Sequence, residues 1–184
     1  LCADKVLNRT DDKTKVIFLC SPNNPTGNLL NRDEMLKIID SFDGIVVIDE
    51  AYIDFASEAS WLERLDSLPN VIVLQTFSKA WGMASVRCGM AFASEEIISF
   101  FNKVKYPYNI NLLTQDFVKK MLDDEKIKNQ RVALLNEERK RVAEAIASLP
   151  ITKIVYPSDA NFVLVKVTDA TAIYNELMNR GVIV

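Results

Sequence analysis

Lys15–Gly27 reads KVIFLC-SPNNPTG: an apolar run and then, with no transition, two prolines and a glycine within seven positions. A short hydrophobic run bounded by turn residues is the pattern of a strand buried on both faces. Proline fixes φ and lacks an N–H, so neither helix nor strand continues through Ser21–Gly27. The chain holds only five glycines, yet it builds a rigid elbow where this strand ends.

Downstream, Asn31 is placed to cap a helix, with Glu34 three residues on as in a capping box. Met35, Leu36, Ile38, Ile39 and Phe42 form that helix's apolar stripe. A second apolar run, Ile45–Ile48, ends in Asp49-Glu50. A helix is expected over Ser57–Leu68, and a third run, Val71–Leu74, leads into Gln75-Thr76-Phe77-Ser78-Lys79. Strand, helix, strand, helix, strand is the signature of right-handed βαβ crossovers and a mainly parallel sheet. Further on we expect a strand at Cys88–Phe92 and helices at Ser94–Lys103, Leu112–Leu122 and about Ile127–Leu149. Past Pro150 the pattern changes: strands at Ile151–Tyr156 and Asn161–Val167, a helix at Ala170–Arg180 and a last strand at Val182–Val184 suggest a small α+β unit. The expected division falls inside the long helix, giving domains 1–129 and 130–184.

The 184 residues are 49% hydrophobic and 26% charged, with net charge -3. That is ordinary globular composition, and no basic stripe suggests a nucleic-acid partner. Lys126–Arg141 interleaves its basic residues with Glu and Asn and reads as a solvated helix face. No apolar run approaches the ~20 residues that span a bilayer, and no signal peptide opens the chain, so a cytoplasmic protein without a membrane partner is expected. Cys2, Cys20 and Cys88 are odd in number and scattered, which fits reduced thiols. Histidine is absent; this excludes Ser-His-Asp and Cys-His catalysis and most zinc chemistry, and no metal site is expected. Both ends read as cut. No methionine begins the chain, and Val182–Val184 reads as a strand stopping straight after Gly181, so a fragment of a longer protein is expected.

Ligands of open α/β sheets bind outside the carboxyl ends of the strands. Here the strand ends are followed by Asn24, Asp49 and Lys79 respectively. Each motif alone is weak. SPNNPTG could be a plain loop. IVVIDE resembles the magnesium-binding end of a nucleotide hydrolase, but that needs G-x-x-x-x-G-K-[ST], and none of the glycines at 27, 44, 82, 89 or 181 precedes a lysine. Ser78-Lys79 could be a serine–lysine dyad or a helix start. Together, however, a lysine, an acid, a rigid Asn, the Tyr of IDEAY and Arg87 suit pyridoxal phosphate. The lysine amine forms a Schiff base with its aldehyde. An Asp keeps the pyridine nitrogen protonated, so that the ring accepts electrons. Asn24 and Tyr52 can donate to the ring phenolate, and Thr76, Ser78 and Arg87 can hold the phosphate.

The set SPNNPTG, IDEAY, TFSK and VRCG resembles the fold type I pyridoxal-phosphate aminotransferases over nearly the whole chain. Within them, TFSKAWGMASVRCGMA, KYPYNIN-LLTQ and PSDANFVLV are similar to the histidinol-phosphate aminotransferase subfamily. The resemblance implies an α/β fold: a mainly parallel sheet with helices on both faces, plus part of a small C-terminal α+β domain. It assigns Lys79 as the Schiff-base lysine and proton shuttle, Asp49 as the pyridinium partner, and Tyr52 and Asn24 as phenolate ligands. Thr76, Ser78 and Arg87 become phosphate ligands. It implies transamination between histidinol phosphate and 2-oxoglutarate in histidine biosynthesis by a homodimer. Tyr108 and Asn109 line the substrate pocket or simply pack a turn; Asn161 reaches substrate or fixes local backbone. Trp61 and Trp81 read as packing residues.

Members of this family are much longer. Their phosphate-binding backbone turn, the aromatic ring stacked on the cofactor and part of the dimer contact would precede Leu1, and their carboxylate-binding arginine would follow Val184. This chain alone is therefore expected to be nearly inert. The same residues also suit an aromatic-amino-acid aminotransferase, a phospho-amino-acid decarboxylase, or a pyridoxal-binding regulatory module without turnover.

Overall fold

The computed structural model describes residues 1–184. Strands β1 (Val16–Cys20), β2 (Ile45–Asp49) and β3 (Val71–Thr76) run parallel in that order, and β4 (Gly89–Phe92) adds antiparallel to β3. Helices α1 (Ala3–Leu7) and α2 (Arg32–Ser41) accompany the sheet. Beyond it come α3 (Glu95–Val104), α4 (Leu112–Leu122) and the unbroken α5 (Glu125–Ala147). A separate antiparallel pair, β5 (Thr152–Val155) and β6 (Val165–Val167), and α6 (Ala170–Asn179) complete the chain.

Side chains alternate across a strand. Ile17 and Leu19, Val46 and Ile48, and Val71 and Val73 therefore share one face, where Ala3, Met35, Ile38, Ile39, Trp61 and Leu68 pack on them. Each such aliphatic side chain, fully buried, contributes about 1.5–3 kcal/mol. On the opposite face Val47 and Ile72 are buried, but Phe18 on the edge strand is 70% exposed.

Several local expectations change. Asn31 caps α2 by accepting the Glu34 N–H at 3.0 Å, but Glu34 does not complete the capping box. Its carboxylate accepts the Ala3 N–H at 2.6 Å and Lys37 Nζ at 3.0 Å, satisfying an orphan donor at the start of α1. The Ser57–Leu68 helix is a 3₁₀ helix over Trp61–Ser67, preceded by a 3₁₀ turn at Ile53–Phe55. Its first amides are captured by side chains, Trp61 N–H by Glu50 and Leu62 N–H by Ser60. Of the expected strand Asn161–Val167, only β6 forms; Ala160 and Phe162 instead pack against Tyr52 and Phe55. Val182–Val184 is not a strand, and the Val182 N–H closes α6 on the Leu177 carbonyl at 2.9 Å.

Candidate active site

The parallel register sets Cys20, Asp49 and Leu74 in one row across the sheet. Past that row the elbow is fixed by its own bonds: Ser21 N–H to Asp49 O (2.9 Å), Gly27 N–H to Asn23 O (2.6 Å) and Asn23 Nδ2 to Thr26 Oγ1 (2.7 Å). This geometry carries Asn24 across β2, where its Nδ2 donates to Tyr52 Oη at 3.2 Å. Tyr52 is buried and lies edge-on to Phe162, centroids 5.2 Å apart. Lys79 Nζ stands 5.0 Å from the Tyr52 ring centroid, within cation–π range. Three segments distant in sequence thus meet at the carboxyl edge of the sheet.

Asp49 Oδ1 accepts the Ala51 N–H at 3.0 Å, which orients the carboxylate at the strand end. Beyond β3, Thr76 Oγ1 accepts the Ser78 N–H at 3.1 Å. Arg87 adopts φ 52° and donates Nη1 to the Ala84 carbonyl at 3.1 Å, leaving the rest of its guanidinium exposed. None of the ion pairs in the protein involves Asp49, Lys79 or Arg87. A carboxylate, an amine and a guanidinium that form no ion pair, together with the Thr76 and Ser78 hydroxyls, make a set of groups that fits a phosphorylated pyridine aldehyde. The neighbouring Cys20 is not activated: burial pushes its thiol up, and the Asp49 carboxylate adds to the push, so it stays a neutral thiol.

Tyr108, Asn109 and Asn161 are not joined to this cluster by any hydrogen bond. Tyr108 is 93% exposed, and Asn109 beside it is exposed too, in the turn between α3 and α4. Asn161 is exposed, but both its neighbours, Ala160 and Phe162, pack on the Tyr52 cluster.

Contacts that the sequence does not announce support the site. Gly27 takes φ 79°, and a Cβ there would sit 2.5 Å from Ser158 Oγ. Asp159 donates its N–H to the Gly27 carbonyl at 2.7 Å and accepts the Leu29 N–H through its carboxylate at 3.0 Å. The loop of the PSDANF motif is therefore bolted to the elbow that holds Asn24. The long helix braces this loop through Arg139 Nη1, which donates to the Ala160 carbonyl, and braces the Ile53–Phe55 turn through Asn136 Nδ2, donating to the Phe55 carbonyl at 3.1 Å, and Lys128, paired with Asp54 at 2.8 Å. Nothing in the spacing of PSDANF marks it as the elbow's partner, because the two lie some 130 positions apart.

The family model for aminotransferase class I and II matches residues 2–184. The histidinol-phosphate aminotransferase of Parabacteroides distasonis is 53% identical over 184 residues, covering 100% of this chain and 53% of the relative. The crystal structure of histidinol-phosphate aminotransferase from Clostridium acetobutylicum superimposes with TM-score 0.90 at 22% identity, over 98% of this chain and 56% of that one. That of the Sinorhizobium meliloti histidinol-phosphate aminotransferase in complex with pyridoxal-5'-phosphate gives TM-score 0.86 at 25% identity, over 98% of this chain and 50% of that one. The chain spans about half the length of the relatives it matches.

Proposed function

Given that the chain belongs to the class I and II aminotransferases, we propose that it carries the cofactor-binding part of a pyridoxal-phosphate transaminase. The reading that fits best is transfer of the amino group of histidinol phosphate to 2-oxoglutarate in histidine biosynthesis. The observation that carries it is the meeting of Asn24, Tyr52 and Lys79 at one sheet edge, beside an Asp49 free of any cation. The 53% identity to a histidinol-phosphate aminotransferase supports the substrate.

When bound, pyridoxal phosphate supplies an aldehyde and an electron-accepting ring. The chain's residues do the rest. Lys79 would present its amine to the aldehyde and would be the base that moves a proton at the substrate α-carbon. Its exposed position lets it swing between those duties. Asp49 holds a proton on the pyridine nitrogen, and the Ala51 amide keeps the carboxylate aimed. Tyr52 Oη accepts from Asn24, so its own proton is free to point outward at the phenolate oxygen. Thr76, Ser78 and Arg87 grip the phosphate, the guanidinium by a charge-assisted fork. The prolines of the elbow leave Asn24 little ordering entropy to lose on binding.

The same reading takes the protein as a cytoplasmic homodimer, its cofactor domain at 1–129 and a second domain beginning at 130. The apolar residues exposed along α3 and α4, Phe100, Val104, Leu112 and Leu113 among them, suit a surface that is covered in the assembly. Tyr108 and Asn109 sit on that surface, where they would complete a pocket only with further protein around them, and Asn161 has the same need.

Borohydride reduction in the presence of pyridoxal phosphate, followed by peptide mapping, tests the reading. The adduct should fall on Lys79 alone; an adduct on any other lysine overturns the site. Faster turnover of an aromatic amino acid than of histidinol phosphate would overturn the substrate.

A further inference from the structure

At the carboxyl ends of β2 and β3, alternation sends neighbouring residues to opposite faces. Asp49 and Thr76 share the face of Val47 and Ile72 and lie at the candidate site. Glu50 and Gln75 share the face of Val46, Ile48, Val71 and Val73, where Trp61 packs. Glu50 is 1% exposed. Its Oε2 accepts Ser60 Oγ at 2.5 Å and Gln75 Nε2 at 3.0 Å, and its Oε1 accepts the Trp61 N–H at 2.7 Å. One residue back, the Glu50 N–H donates to the Leu74 carbonyl at 2.8 Å. No lysine or arginine pairs with this carboxylate.

A buried carboxylate served only by neutral donors is an expensive way to fill space; an apolar side chain of similar size would bury more readily. What it supplies is directional: two oxygens that fix the tip of β2, the tip of β3 and the start of the Trp61–Ser67 turn at hydrogen-bond distance. We propose that Glu50 is a positioning residue, whose bond to Gln75 sets the separation between Asp49 on β2 and the Thr76–Lys79 segment after β3. This rests on the reading of Asp49 and Lys79 as cofactor residues. Glu50 itself lies on the far face of the sheet and does not touch the reacting atoms.

Two amides report the positions of the site side chains directly. Ala51 N–H is bonded to Asp49 Oδ1 and Ser78 N–H to Thr76 Oγ1. Hydrogen exchange followed by NMR should therefore separate positioning from simple anchoring of the 3₁₀ helix. In Glu50→Gln, where the new amide NH₂ faces donors, exchange at Ala51 and Ser78 should accelerate on the order of tenfold, with α2 amides unchanged. Gln75→Leu, which removes the strut and the Gln75 Nε2 bond to Ser60 Oγ (3.2 Å) but leaves the Glu50 bonds to Ser60 and Trp61, should do the same; it also decides the matter if Glu50→Gln does not fold. Acceleration confined to Trp61–Ser67, or none in either variant, overturns the proposal.

With pyridoxal phosphate added, the visible circular dichroism of Glu50→Gln should differ from wild type. The exchange variant Glu50→Gln, Gln75→Glu, again one carboxylate facing one amide, should restore it; a dichroism unchanged by Glu50→Gln also overturns the positioning role. If the wild-type chain gives no visible band with pyridoxal phosphate, the cofactor reading falls and the positioning role falls with it, whatever the amides do.

Discussion

Residues before 84 and residues after it close their apolar surface to different degrees. All but two of the 26 buried residues lie in the first part, and the exceptions are Val118 and Ala160. The first part holds the three parallel strands, packed by α1, α2 and the Trp61–Ser67 turn, and β4 alone joins their sheet from the second part. In the second part α3, α5 and α6 bury no residue completely. The difference follows from topology. A parallel strand pair brings residues distant in sequence into one packed row, whereas a lone amphipathic helix buries its stripe only against a neighbour. The candidate site sits at the edge of the closed part, and from the open one it takes Arg87 and the Ser158–Phe162 loop.

The sharpest break of that comparison is at the site. In the full-length protein, Asp49→Ala removes the strand-end carboxylate that no cation pairs with, and kcat should fall by about two to three powers of ten, with cofactor affinity changed far less because the phosphate grip remains. A near-normal kcat would remove Asp49 from the pyridine-nitrogen role. Next, Ile48→Ala in the closed core should lose about 3 kcal/mol of unfolding free energy. Leu113→Ala on the open side, at a residue 83% exposed, should change stability by less than about 0.5 kcal/mol. Chemical denaturation of the two variants measures both, and equal losses would mean that the second part is closed in solution.

Smaller still, Gly27→Ala tests the bolt between the two parts. A left-handed φ costs a residue with Cβ about 1–2 kcal/mol, and Ser158 must also move. Limited proteolysis should then cut more readily near 156–162; an unchanged cleavage pattern would show that this loop is held without the elbow. The least effect is expected at low pH. The Ala3 amide, then Lys37, holds the Glu34 carboxyl below the usual range. A depressed folded value means a tie present above the ordinary glutamate value and lost as pH falls through the folded one. Between pH ~6 and ~3, α1 should lose amide protection before the sheet does, and Glu34→Gln should abolish that pH dependence. Protection of α1 unchanged at the acid end would sink this assignment.

The strand positions and the α2 cap were legible because they depend on local features: apolar runs, proline, an Asn three residues before a Glu. Asp49, Lys79 and the elbow were legible as a set because a parallel sheet must bring consecutive strand ends to one edge. The pattern of Ser57–Leu68 is helical, yet only a 3₁₀ helix forms there, over Trp61–Ser67, with its first amide taken by the buried Glu50 carboxylate. The 161–164 strand failed for a similar reason, since packing on Tyr52 outweighs the β-branched character of the run. Periodicity cannot show which partner claims an amide.

By itself, then, the sequence determined the parallel α/β order, the rigid elbow and the identity of the chemically equipped strand ends, because backbone restriction and hydrophobic alternation act within a few residues. Only the tertiary structure decided that Asp159 and Ser158 bolt that elbow, that Phe162 backs Tyr52, and that Glu50 and Gln75 tie two strands beneath the site. Each of those contacts joins residues whose spacing carries no signal: the ring and Ser158 contacts exist because packing closes there, and the hydrogen bonds because a folded interior leaves a buried donor or acceptor no partner but the one that packing brings to it.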